Sequence, residues 1–291
     1  MTPILCRSAL YVPASNPRAL DKACGLPADA IILDLEDAVA PSQKVAARAN
    51  LRDVLAADFG GRPRIVRINA LAGPWGADDL AAATGADAVL VPKVGGAADS
   101  AAVAERAAGV PLWAMIETAA GVLNAGAIAA HPAVAALVMG TNDLAADLRL
   151  PAEAGRAPLA TALSMSVLAA RAHGRLILDG VFPDLRDPAG LEDECAAGRQ
   201  LGFDGKTVIH PNQIAAANAA FAPTEAEIEL ARRQIDAFDS AAAEGRGVAV
   251  LGGRIVENLH AAMARRTLAQ AEAIAARRQP AQITAQEQPP A

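Results

Sequence analysis

The segment Ile31-Ile32-Leu33-Asp34-Leu35-Glu36 alternates in a way that decides how this chain folds. Its odd positions are all apolar, while Asp34 and Glu36 occupy even ones. Successive side chains of a β-strand point to opposite faces. One face therefore sends Ile31, Leu33 and Leu35 toward covering helices, and the other carries Ile32, Asp34 and Glu36. The same sorting recurs in Arg64–Asn69, where Val66 and Ile68 oppose Arg67 and Asn69. It recurs again in Trp113–Glu117, where Ala114 and Ile116 oppose Trp113, Met115 and Glu117. Strands that are apolar on the helix side and collect charge inside, toward their C-terminal ends, belong to a parallel barrel with its site at those ends.

Working outward, short apolar runs recur at Ser8–Val12, Ala30–Leu35, Arg64–Asn69, Ala88–Pro92, Pro111–Glu117, Ala135–Gly140, Arg175–Val181 and Lys206–His210. Ala-rich stretches with helical periodicity lie between them: Ser42–Ala56, Gly76–Ala83, Ala97–Ala108, Gly121–Ala130 and Leu191–Leu201. Strand–helix alternation of this kind makes parallel βαβ units. Eight units predict a (β/α)8 (TIM) barrel over residues 1–222. A doubly wound open sheet is the alternative, and no glycine fingerprint after the first strand supports it. After Pro223 the pattern changes to a charged helix, Glu225–Ala243, a turn-and-strand segment, Gly245–Gly253, and a second helix from Val256 to Ala276. Residues 223–276 are thus expected to form a C-terminal helical extension. The tail, 277–291, is rich in Gln, Pro and Ala without periodicity and is expected to be disordered.

The length of 291 residues suits a barrel of about 250 residues with an appendage. Although 53% of the residues are apolar, aromatics make up only 3%, so the core must be built from Ala, Val, Ile and Leu. The net charge of −6, with both signs interspersed, leaves no electrostatic footprint for nucleic acid. Cys6, Cys24 and Cys195 are too few and too scattered for a disulfide framework or a structural zinc site, and read as small buried side chains. Neither a signal-peptide pattern nor an unbroken apolar stretch of about 20 residues is present. The expected setting is cytoplasmic, with no membrane or nucleic-acid partner.

Charges that point into a barrel are costly to bury unless they pair or bind a cation. Singly, each carboxylate among Asp34, Glu36, Asp37, Glu117 and Asp143 reads as a turn or helix cap; together with Arg67 they point to a site. Glu117 and Asp143 lie 26 residues apart, about one βα unit, which places them on neighbouring strands. Two hard oxygen donors suit Mg²⁺ better than zinc, and the four histidines lack metal-ligand spacing. Arg67 offers a planar fork to a substrate carboxylate, or else a salt bridge to Glu36 or Asp37.

Seven motifs in order carry a resemblance: Leu10-Tyr-Val-Pro13, Ile32-Leu-Asp-Leu-Glu-Asp37, Val66-Arg-Ile-Asn69, Val91-Pro-Lys93, Met115-Ile-Glu-Thr118, Gly140-Thr-Asn-Asp-Leu144 and Gly205-Lys-Thr-Val-Ile-His-Pro211. From about Arg7 to Ala276 the chain resembles the citrate lyase β-subunit-like CoA-ester lyases, which include malyl-CoA and citramalyl-CoA lyases, within the HpcH/HpaI aldolase superfamily. The resemblance implies Mg²⁺ on Glu117 and Asp143, a 2-oxo acid gripped by Arg67, and metal-bound water held by Glu36 and Asp37. It implies CoA near the first strand–helix loop, where Arg7, Ser15, Arg18 and Lys22 could meet phosphates; that basic group also reads as a solvated helix start. Many relatives carry an Asp in the C-terminal extension that reaches a neighbouring subunit's site. Glu257 stands at that place here, within a homotrimer or hexamer, and His260 shares a helix face with it or is a plain surface histidine.

The implied activity is reversible cleavage of a 3-hydroxyacyl-CoA (malyl-, citramalyl- or citryl-CoA type) to acetyl-CoA and a 2-oxo acid. CoA thioester hydrolysis of the malyl-CoA thioesterase type is one alternative. A Schiff-base aldolase using Lys93 or Lys206 is another, although Lys93 also reads as an ion-pair or substrate-contact residue. A non-catalytic subunit that needs an acyl-carrier partner is a third.

Overall fold

The structure is a computed structural model that describes residues 5–278. Eight parallel strands close into a barrel in sequence order: β1 (Ser8–Pro13), β2 (Ala30–Asp34), β3 (Arg64–Arg67), β4 (Ala88–Val91), β5 (Leu112–Ile116), β6 (Val134–Met139), β7 (Leu176–Asp179) and β8 (Gly205–Val208). The ring shuts where β8 pairs with β1, with Ser8 opposite Lys206 and Leu10 opposite Val208. Each expected run becomes a strand. Most stop short at their C-terminal ends, because Glu36, Asn69 and Glu117 lie beyond the last ladder positions.

The period of two places side chains as anticipated. Ile31, Leu33, Leu35, Val66, Ile68, Ala114 and Ile116 pack in the layer between strands and helices. Ile32, Ile65, Leu90, Trp113, Met115, Val138 and Leu178 fill the barrel interior together with Ala9, Ala30, Ala88 and Ala136. Alanine at four interior positions leaves room for the one large Trp113 ring, so few aromatics suffice to fill the barrel.

The helices of the barrel are α1 (Pro17–Ala23), α2 (Lys44–Ala56), α3 (Gly76–Ala82), α4 (Ala97–Ala104), α5 (Ala119–Leu123), α6 (Ala125–Ala130), α7 (Thr141–Asp147), α8 (Ala160–Ala172), α9 (Pro188–Leu201) and α10 (Ile214–Ala220). The single helix expected over Gly121–Ala130 is in fact two, broken at Asn124, whose side chain donates to the Gly95 carbonyl at 2.7 Å. Short α1 and α7 escape periodicity because seven residues barely complete two turns. Local chemistry marks α1 instead: Asn16 caps it by accepting from the Ala19 N–H, and Pro17 opens it.

The chain divides into two compact units between Phe221 and Ala222. In the second, α11 (Glu225–Ala243) opens with a reciprocal cap between Thr224 and Glu227. The Gly245–Gly253 segment proves to be the first half of a hairpin, β9 (Ala249–Leu251) with β10 (Arg254–Val256). Its two-residue turn, Gly252-Gly253, has φ of 56° and 77°, a geometry that side chains other than glycine rarely adopt. The final helix, α12 (Asn258–Arg278), takes in the first two residues of the expected disordered tail; the rest, 279–291, lies outside the described residues. No helix among the described residues is long and apolar enough to cross a membrane.

Candidate active site

The C-terminal mouth of the barrel holds a cavity of about 360 Å³ lined by Tyr11, Asp34, Asp37, Arg67, Met115, Glu117 and Asp143, among others. Adjacent strands β2 and β3 set Asp34 opposite Arg67 in register. The guanidinium is consequently gripped from the side: Nε donates to Asp34 Oδ1 at 2.7 Å and Nη2 to Oδ2 at 2.6 Å. Its Nη1 donates to Asp37 at 3.3 Å and lies 2.9 Å from Glu36 Oε2. The salt bridges to Glu36 and Asp37 are thus present, but the bidentate fork belongs to Asp34. What remains for a substrate carboxylate is the second N–H of Nη1 and of Nη2. The Tyr11 ring lies 4.8 Å from the guanidinium carbon and completes the support. Tyr11 did not emerge as a site residue from the sequence; its signal was the even spacing from Ala9, which sends both inward.

Glu36 is buried, and its Oε2 has no hydrogen-bond partner, since the nearby Nη1 is not aligned to donate to it. Burial pushes its carboxyl up to about 8, an effect that Arg67 opposes and Asp37 reinforces. Glu117, which follows β5, is likewise buried and is pushed up to about 7 by burial, against a hydrogen bond from the Lys93 N–H. That bond, 2.6 Å to Oε1, depends on an unusual backbone: Lys93 has φ of 51°. The other oxygen, Oε2, fills the space beside Gly140, where a Cβ would come within 2.4 Å of it. Asp143, in the first turn of α7, raises the Glu117 carboxyl further by its own charge.

These carboxylates fit a hard divalent cation. Among the described residues no three His, Cys, Asp or Glu side chains converge as a complete metal cage. Mg²⁺ is ordinarily held by one or two carboxylates, with water and substrate oxygens supplying the rest. Glu117 and Asp143 offer that donor set on one cavity, while Glu36 lines an adjoining hollow with Asp37 and Lys93, its Oε2 buried and ion-paired to Arg67. The Lys93 ammonium lies 3.8 Å from Glu36 and 3.9 Å from Asp143. Its partial desolvation favours the neutral amine, but the surrounding carboxylates outweigh that and raise its pKa. A Schiff-base lysine needs the opposite environment.

Two expected residues lie elsewhere. Arg7 precedes β1, at the opposite end of the barrel, where it is buried and donates to Asp29 through Nε at 2.8 Å and Nη2 at 2.9 Å. It cannot meet CoA phosphates at the mouth. Lys206 shares the helix-facing side of β8 with Val208 and is fully buried against Glu194 (2.5 Å) and Asp179 (3.3 Å), which removes it as an imine-forming lysine. Arg18 and Lys22 do stand exposed on α1, one turn apart, after the C-terminal end of β1, with half-buried Ser15 just ahead of them. Glu257 belongs to the second unit, and it precedes α12 rather than sharing a face of it. Its N–H donates to His260 Nδ1 at 3.2 Å and its carbonyl accepts from Ala261, so His260 acts as a helix-start cap.

Known proteins share both the sequence and the barrel. The family described as HpcH/HpaI aldolase/citrate lyase matches residues 7–211. A (3S)-malyl-CoA thioesterase of Cereibacter sphaeroides is 57% identical over 273 residues, covering 93% of this chain and 96% of that protein. The L-malyl-CoA/beta-methylmalyl-CoA lyase of the same species is 36% identical, again over 93% of this chain and 96% of its own length. Among solved structures, the CitE protein of Mycobacterium tuberculosis in complex with magnesium, acetoacetate and coenzyme A superposes with a TM-score of 0.77 at 34% identity, covering 91% of this chain and 97% of that one. On the strength of these matches and of the barrel that carries them, the chain belongs to the HpcH/HpaI aldolase/citrate lyase family.

Proposed function

We propose that this enzyme hydrolyses the thioester of a 3-hydroxyacyl-CoA of the malyl-CoA type, releasing free CoA and the hydroxy acid. One observation carries the choice of reaction: the thioesterase relative is 57% identical and the lyase relative only 36%, over the same share of the chain. The carbon–carbon lyase reading, first by resemblance, has support at the level of the family alone.

Glu117 and Asp143 would hold Mg²⁺, which would supply positive charge where the acyl group's carboxylate binds. Arg67, immobilised by Asp34, orients that carboxylate through its remaining N–H groups. Glu36 would take a proton from the water that attacks the thioester carbon and return it to the departing sulfur. A carboxyl pushed up to about 8 suits such a shuttle near neutral pH. Water adds, the C–S bond breaks, and the thiol leaves protonated, so the step balances without a further reactant. Arg18 and Lys22 would meet the CoA phosphates, and Glu257 would enter from a second subunit of an oligomer, as the resemblance implies.

The test is product analysis of the purified chain with (3S)-malyl-CoA and Mg²⁺. Free thiol and malate should appear in equal amounts without glyoxylate. Acetyl-CoA and glyoxylate matching the substrate consumed would establish the lyase reaction instead.

A further inference from the structure

Lys44, the first residue of α2, is 5% exposed and makes no ion pair among the described residues. A buried ammonium normally meets a carboxylate. Here its three protons go to the Leu35 carbonyl (2.8 Å), the Glu36 carbonyl (2.8 Å) and Asn69 Oδ1 (2.9 Å). Both carbonyls lie just past the last residue of β2, where the ladder has run out and the backbone needs other partners.

The clamp is itself braced. Asn69 Nδ2 donates to the same Leu35 carbonyl at 2.8 Å and to Asp79 Oδ2 at 2.5 Å, and the Asn69 N–H donates to Asp79 at 2.9 Å. Asp79, fully buried at the start of α3, accepts from Arg48 of α2 at 3.0 Å. From inside the barrel, Asp34 accepts the N–H of Glu36 at 2.9 Å and of Ala38 at 3.3 Å. The N–H of Glu36 is therefore held by Asp34, which also grips Arg67, while its carbonyl is shared by Lys44 at 2.8 Å and the Val39 N–H at 3.0 Å.

We propose that Lys44 is a positioning residue: its ammonium gathers the Leu35 and Glu36 carbonyls and so fixes the backbone from which Glu36 enters the active site. The ammonium matters because its three diverging N–H donors tie three acceptors from two segments to one point, which no neutral side chain of this length could do. All three of its protons are taken up by the protein, so its effect passes through Glu36, and its kinetic consequence rests on the function proposed above.

Hydrogen–deuterium exchange on the full chain tests the clamp without reference to activity. In Lys44→Met the amides of residues 36–39 should exchange about tenfold faster or more, with the other strands unchanged; Lys44→Gln, also uncharged, serves if the Met variant does not fold. Unchanged exchange there, or a rise spread over the whole barrel, would overturn the proposal. In malyl-CoA hydrolysis, kcat should fall about 10–100-fold with KM little altered, as for other groups that orient a reacting residue. Lys44→Met combined with Glu36→Gln should be no slower than Glu36→Gln alone, whereas multiplying losses would mean that Lys44 does not act through Glu36. If the wild-type chain hydrolyses no CoA ester, the proposed function falls and the exchange experiment still decides the clamp.

Discussion

Raising the pH of the metal-free protein should destabilise it, and Glu117 sets a measurable part of the effect. Burial pushes this carboxyl from 4.5 up to about 7. Between those values the folded chain keeps a proton that the unfolded chain has released. Where the folded state binds more protons, stability falls as pH rises. The contribution is fully present below 4.5, is lost as pH rises toward 7, and amounts to a difference on the order of 3 kcal/mol. For a domain of this size that corresponds to a Tm change on the order of 10 °C. Glu117→Gln keeps the shape and removes the titration. Calorimetric scans in EDTA from about pH 5 to about pH 8 should therefore show a steeper decline for wild type than for the variant, with the histidines cancelling in the difference and Glu36, which the Glu117 charge raises, titrating somewhat lower in the variant. Mg²⁺ should stabilise the wild type most at the alkaline end, where Glu117 ionises readily, and should scarcely stabilise the variant. Parallel Tm–pH curves for the two proteins in EDTA would refute the assignment of a strained, cation-seeking carboxyl to Glu117.

Further outcomes follow from the same geometry. Arg67→Lys loses the paired bonds to Asp34 and leaves that carboxylate half-satisfied in the interior; stability should drop by about 3 kcal/mol in denaturant titration, and kcat/KM for the CoA ester by more than about a hundredfold. Gly140→Ala introduces a Cβ that would meet Glu117 Oε2 at 2.4 Å, so isothermal titration should show weakened Mg²⁺ binding, while unfolding shifts by only about 1–3 kcal/mol. Mixing Glu257→Ala chains with Arg67→Ala chains should restore part of the activity in hybrid oligomers if Glu257 serves a neighbouring site; no recovery between subunits shown to exchange would count against it.

Much of the barrel and the centre of its site are legible in the amino-acid sequence. The alternation in Ile31–Glu36 sorts helix-facing from interior residues because a strand's backbone fixes side-chain direction whatever it pairs with. That rule places Glu36, Arg67 and Glu117 inward at the strand ends, and all three are buried there in the folded chain. The same rule applied to β8 separates Lys206 from the interior, since it stands two residues from helix-facing Val208. Arg7 precedes its strand, which leaves it at the wrong end of the barrel however favourable its charge.

What tertiary structure alone decided is which of these groups hold one another. The pairing of Asp34 with Arg67 depends on the register between β2 and β3, a relation across 33 residues that no local pattern encodes. The same holds for Lys44: in sequence it is an ordinary lysine near a helix start, and only the convergence of Leu35, Glu36 and Asn69 turns it into a buried clamp. Local alternation tells a side chain which way to face, but the partners that fix its charge and its position arrive from strands and helices far along the chain.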